Sequence, residues 1–249
     1  MLSFSENIIC ASLFTGVYDV NINEMLQADD FQIVEKWVQS IRELGLNGFM
    51  FHNNFSQKTV SEHEYEQLRF CKVEFNSSLN ANVYRYLVYF DFLKMHKNHI
   101  RNTFFTDIAD VEVVKNPFAD PLFIENSGNL FCGDEDEILD NPWMQDHCTH
   151  LRNQIDGFAD FESKNKSETL FNCGVIGGQT KVMLELLDQL VQIHSTHTVT
   201  NQTPFTLDMG AFNYVARTYF ADRLFHGFPV NTRFKGYESE REDYWFRHK

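Results

Sequence analysis

Asp107 and Asp110 are the residues with the plainest chemistry. They close a short apolar run, Thr103-Phe104-Phe105-Thr106, and a second β-rich run over residues 111–114 follows before Pro117. Carboxylates at the end of a buried strand repel one another and are costly to desolvate unless a cation lies between them. An oxygen-only pair suits a hard ion, Mg²⁺ or Mn²⁺, of the kind that keeps waters and binds substrate phosphates. Residues three apart on an ideal strand face opposite sides, so a turn after Asp107 must bring both acids to one ion. Asp110, opening the next run, is the stronger candidate for direct coordination. Asp107 either coordinates beside it or supports the ion from behind. The plain alternative is a surface turn whose acids face water.

Elements that alternate between two periods must position this pair. An apolar run over residues 7–14 reads as a strand ending at Thr15-Gly16. Residues 31–44 repeat at helical spacing (Phe31, Val34, Trp37, Val38, Ile41, Leu44), with Asp29 and Asp30 in front and Gly45 behind. A strand over 48–52 ends in Asn53-Asn54, and a third is expected over 71–75. Residues 82–96 predict a helix with Tyr84, Leu87, Val88, Phe92 and Met95 on one side, and the acid-bearing strand follows directly. This order predicts an α/β domain with a mostly parallel central sheet flanked by helices. Ligands bind beyond the carboxyl ends of such strands, where Thr15-Gly16, Asn53-Asn54 and Asp107/Asp110 all fall.

Past residue 120 a short strand over 130–133 runs into Asp134-Glu135-Asp136-Glu137, and residues 141–166 are polar and irregularly helical. A glycine-containing strand over 169–178 leads into a helix over 180–194, with Val182, Met183, Leu186, Leu187, Leu190 and Ile193 at its apolar positions. Residues 207–219 predict another, entered through Asp208.

The 249 residues are 43% hydrophobic and 22% charged, an ordinary globular balance, and 25 phenylalanines predict an aromatic interior. A net charge of −14 excludes a general nucleic-acid binder and a protein held on anionic lipid by charge alone. Cys10, Cys71, Cys132, Cys148 and Cys173 are odd in number and lack C-x-x-C spacing, so reduced thiols are expected. The start has no basic segment, and no apolar run approaches about 18 residues. A soluble cytoplasmic protein with no integral membrane segment is therefore expected; nothing indicates its oligomeric state. His147-Cys148-x-His150 has no fourth partner at metal spacing and reads as surface, not a zinc site.

Taken together, several pieces resemble the nucleotide-diphospho-sugar glycosyltransferases of the GT-A fold. They are Ala11-Ser12-Leu13-Phe14-Thr15-Gly16, Tyr84-Arg85-Tyr86, Phe104-Phe105-Thr106-Asp107-Ile108-Ala109-Asp110-Val111, Asn116-Pro117-Phe118, Phe171-Asn172-Cys173-Gly174-Val175-Ile176-Gly177-Gly178 and His248-Lys249. The nearest pattern looks like the glycogenin-type retaining enzymes, in which a D-x-D, an N-x-G strand and a late H-x-x-x-x-K supply the donor site. Here the acids are spaced D-x-x-D, and the histidine and lysine are adjacent, which leaves retention or inversion open.

The resemblance implies one glycosyltransferase domain over residues 1–249, with a nucleotide- and metal-binding half (1–120) and a sugar and acceptor half (121–249). It implies a UDP- or GDP-sugar donor, a carbohydrate acceptor and Mn²⁺ or Mg²⁺, held by Asp107, Asp110 and His248. An imidazole ligand favours Mn²⁺. Ser12, Leu13, Phe14, Thr15 and Gly16 would line the base and ribose pocket, and Lys249 would pair a phosphate. Asn172, Gly174 and Gly177 would meet the transferred sugar. Arg85 lies on an otherwise apolar helix and needs an anionic partner, a phosphate or the acids themselves. Asp208, Asp134 and Glu135 are the candidate catalytic carboxylates. A non-catalytic nucleotide-sugar binding module and a sugar-1-phosphate nucleotidyltransferase are the alternatives; Thr15-Gly16-Val17-Tyr18-Asp19 is not the glycine- and arginine-rich loop the latter needs.

Overall fold

Ile8, Ile9, Cys10 and Ala11 have no exposed surface, the pattern of a strand covered on both faces. In the computed structural model they lie inside a seven-stranded sheet. The structure describes residues 5–19, 24–76, 79–196, 208–233, 238 and 240–248. Its strands are β1 (Asn7–Leu13), β2 (Tyr18–Asp19), β3 (Glu24–Met25), β4 (Gly48–His52), β5 (Leu68–Lys72), β6 (Asn102–Thr106), β7 (Val111–Val113), β8 (Leu130–Ile138), β9 (Thr169–Gln179), β10 (Leu224–His226) and β11 (Phe246–His248). Its helices are α1 (Glu35–Glu43), α2 (Gln57–His63), α3 (Ala81–His96), α4 (Pro121–Glu125), α5 (Pro142–His147), α6 (Thr149–Gln154), α7 (Phe158–Asn165), α8 (Thr180–Thr196) and α9 (Asp208–Tyr219).

The sheet order is β10-β8-β9-β6-β1-β4-β5. β5, β4, β1 and β6 run parallel, β9 runs antiparallel to both β6 and β8, and β10 is parallel to β8. From β1 the chain moves outward to β4 and β5, then crosses back through α3 to place β6 on the other side of β1. That reversal opens a crevice between the carboxyl ends of β1 and β6, the position where open α/β sheets bind ligands.

Alternate residues feed two cores. Ile8, Cys10 and Phe105 face a layer containing α3, α8 and α9; Ile9, Ala11 and Phe104 face α1 and the final segment. The second layer is the aromatic one: Phe104 meets Phe118, Phe123, Phe131, Trp245 and Phe246 at ring distances of 5.1–6.4 Å. Gly177 belongs to it as well. A Cβ there would lie 2.1 Å from the Phe104 ring, so this glycine is required by the packing of the aromatic layer.

Four sequence expectations need adjustment. The third strand starts earlier, at Leu68, because Leu68 and Phe70 carry the buried alternation. The acids at 134–137 do not leave the sheet but extend β8, whose register shifts twice against β9. On α3 the buried residues are Val83, Arg85, Tyr86, Tyr89 and Leu93, while Met95 is exposed. That helix is apolar nearly all round, so its periodicity carries little information about facing. The expected helix over 31–44 splits at Val34 into a short 3₁₀ turn and α1. Leu207, its counterpart expectation at the start of α9, lies outside the described residues. Among the described residues no helix is long and apolar enough to cross a membrane.

Candidate metal centre

Asp107 follows β6 directly, and its backbone N–H donates to the Gly174 carbonyl at 2.7 Å. Residues 108–110 bend the chain so that Asp110 stands immediately before β7. β7 pairs antiparallel with β11, setting His248 opposite Val111. His248 is thereby held in a ladder rather than left as a loose end. Its N–H donates to Thr232 Oγ1 at 2.9 Å, and its carbonyl accepts from the same hydroxyl at 3.2 Å.

The bend and the ladder together bring one ligand atom each from Asp107, Asp110 and His248 within 4.8 Å of one another. His248 Nε2 is 3.5 Å from Asp110 Oδ2 and 4.0 Å from Asp107 Oδ2. The histidine is buried and the two acids are half-buried. Gly174 forms the floor. A Cβ at this position would stand 2.4 Å from His248 Cε1 and 2.7 Å from Asp107 Oδ2, so only bare backbone leaves the cradle open. Asn172 braces that floor, with Oδ1 accepting from Gly174 N at 2.6 Å and Nδ2 donating to Glu135 Oε1 at 2.9 Å.

Arg85 closes the site from behind. Its guanidinium pairs with Asp107 Oδ1, reaches Asp208 Oδ2 at 3.2 Å and donates to Cys173 Sγ at 3.4 Å. Burial opposes the Arg85 charge, but Asp107 first, then the neighbouring Tyr86, Cys173 and Asp208, hold its pKa well above the usual value. Burial likewise pushes the Asp107 carboxyl up, yet Arg85 and then His248 outweigh it and keep that carboxyl below its ordinary range. Three carboxylates thus face one guanidinium and an imidazole, with Asp107 and Asp110 half-exposed at the mouth of the cluster. Carboxylates held this close repel one another, and a cation between them would relieve that. The donor set of two carboxylates and one imidazole, around a cradle that a methyl group would fill, fits a divalent metal ion. Asp107, Asp110 and His248 would hold it.

The other expected residues are placed as follows. Ser12 accepts a hydrogen bond from Tyr89 Oη at 3.0 Å. Leu13 is buried, and Phe14 stacks on Phe75 at 4.9 Å and meets the edge of Tyr84 at 5.4 Å. The backbone of Thr15 is already satisfied: its N–H donates to Asn53 Oδ1, and its carbonyl accepts from Asn53 and Asn54. It therefore contributes shape to the rim of the crevice rather than hydrogen bonds for a base. Gly16 turns there with φ +74°, which favours glycine. Asp134 pairs with His226 Nδ1 at 3.1 Å and packs on Gly227, a separate contact from the ion cluster. Glu135 joins the floor through Asn172, and Asp208 joins through Arg85. Lys249 lies outside the described residues.

Sequence reasoning missed Thr232, Tyr89 and the clamping role of Asn53 and Asn54. A lone threonine carries no sequence signal. Tyr89, four residues after Arg85, shares its helix face and was in principle readable. The expected surface placement of His147-Cys148-x-His150 is corrected: His147 and Cys148 are buried, because His147 Nδ1 bonds the Trp143 carbonyl at 2.7 Å and its ring stacks on that indole while Cys148 joins the core. No family model matches the chain, and no curated protein matches it.

Proposed function

We propose that this chain is a metal-dependent glycosyltransferase that moves a sugar from a UDP- or GDP-linked donor to a carbohydrate hydroxyl. The observation that carries the reading is the Asp107–Asp110–His248 cluster at the switch point of the sheet, floored by Gly174. A divalent ion bound there would offset the charge growing on a diphosphate leaving group. Arg85 holds Asp107 by one oxygen and leaves the other directed toward His248. Asn172 keeps the floor rigid. Glu135 is the carboxylate best suited to take a proton from an acceptor, since Asp208 is buried against Arg85 and Asp134 is paired with His226. A reducing, cytoplasmic setting goes with this reading, because Cys173 stands as a free thiol beside Arg85.

The test is incubation with a panel of nucleotide sugars and Mn²⁺. Slow release of free nucleoside diphosphate, abolished by EDTA and by Asp110→Asn, is the expected result. Binding without turnover would favour a silent nucleotide-sugar module. Dependence on pyrophosphate would favour a nucleotidyltransferase.

A further inference from the structure

At the opposite end of the sheet, residues of α3, of the turn before β6 and of α8 line a groove of about 730 Å³. It opens beside the first residue of β6 and the last of β9, roughly 16 Å from Asp107 by the rise along β6. Its polar lining is unusual for a chain of net charge −14. Lys94, Lys97, Arg101 and Lys181 all face it, against Glu185 and Asp188. Glu185 is paired with Arg223, while Asp188 accepts only from the neutral Gln192 amide and keeps its charge, so the cations outnumber the uncompensated acids four to one. Among the described residues no carboxylate pairs with any of the four cations, and Lys94 lies over the Phe90 ring at 5.3 Å. The Thr180 hydroxyl, at the start of α8, donates to the Ile100 carbonyl at 2.7 Å instead of capping its own helix. The positive end of that helix dipole adds to the same field.

The four cations are exposed and lie on one rim, where their summed positive potential favours an anion over a cation. The groove also has apolar walls, Phe90, Ile100 and Leu184, and its size suits a small organic ligand rather than a bare ion. We propose that this groove binds an organic phosphate or sulfate ester carried on an apolar body, at a site separate from the metal centre. The charges would grip the ester oxygens, and the apolar walls would cover the body.

Titration calorimetry with 1-naphthyl phosphate, in EDTA so that the metal centre takes no part, tests this. Naphthyl phosphate is expected to bind at least ten-fold tighter than inorganic phosphate or 1-naphthol alone. The triple variant Lys97→Gln/Arg101→Gln/Lys181→Gln, with unchanged circular dichroism, is expected to weaken it at least ten-fold, and Asp110→Asn to leave it unchanged. Equal affinity for the three probes, or undiminished binding in the triple variant, would overturn the proposal. So would capture by phosphatidylserine vesicles through the same lysines with no affinity for naphthyl phosphate, which would make the groove a lipid contact.

Discussion

Asp107 divides its two oxygens between opposite neighbours, Oδ1 toward Arg85 and Oδ2 toward His248 and the Gly174 backbone. Asp107→Asn keeps the shape and removes the charge. It is expected to weaken Mn²⁺ binding by at least ~100-fold, read by loss of the bound fraction in electron paramagnetic resonance. Gly174→Ala tests the cradle from below. Its methyl group must displace His248 or Asp107, so we expect about 1–3 kcal/mol of overpacking on urea unfolding, with Mn²⁺ binding lost and the far-ultraviolet spectrum retained. An alanine variant that binds the ion normally would show that the floor has room to spare. At this scale the acids were legible because the pair closes an apolar run at the end of a strand that follows a helix, where a surface turn is the only other reading. Arg85 was legible only as a charge in need of a partner. Its double engagement with Asp107 and Asp208 joins residues far apart in the chain, and no local spacing encodes that.

Elements decide whether those residues meet. β7 and β11 are short, and the β11 backbone is held on its other side by Thr232, whose hydroxyl both donates to and accepts from His248. Thr232→Val removes both bonds at constant volume and leaves buried backbone groups unsatisfied. We expect a loss of about 1–3 kcal/mol and a measurable fall in Mn²⁺ affinity; unchanged affinity would mean that the ladder alone holds the histidine. At the end of β4, His52 is buried, and its Nδ1 accepts from the Phe55 N–H at 3.1 Å. Burial, aided by Lys72 and opposed by Asp29, lowers its pKa from 6.5 to about 4. The unfolded chain takes up this proton near pH 6.5 and the folded one does not. Stability is therefore full above that pH and declines as pH falls toward 4, by roughly 3 kcal/mol from this residue. His52→Asn keeps an acceptor for Phe55 and does not titrate, so its melting temperature is expected to fall less between pH 7 and 4.5. The alternation of strands and helices was readable because its two periods differ sharply. The extension of β8 through four acids was not, since the pairing that keeps them in the sheet comes from β9.

On the scale of the whole molecule, charge is sorted by position. A chain of net charge −14 gathers carboxylates at the carboxyl end of β6 and lysines and an arginine at the amino end of the same strand. Such a molecule attracts divalent ions all over its surface, so binding alone would not identify the centre. Folding linkage separates the two cases, because only an ion that the folded state holds far better than the unfolded chain stabilises it. At a hundred-fold excess over its dissociation constant, one bound ion contributes about 2.7 kcal/mol, or roughly 5–10 °C in melting temperature for a chain of this size. We expect Mn²⁺ to give such a shift, EDTA to reverse it and Asp110→Asn to abolish it. UDP or GDP should add a further rise only when Mn²⁺ is present, since the diphosphate and the protein would share one ion. An equal Mn²⁺ shift in Asp110→Asn would assign the effect to scattered surface acids, and a nucleotide shift that ignores the metal would separate the crevice from the cluster.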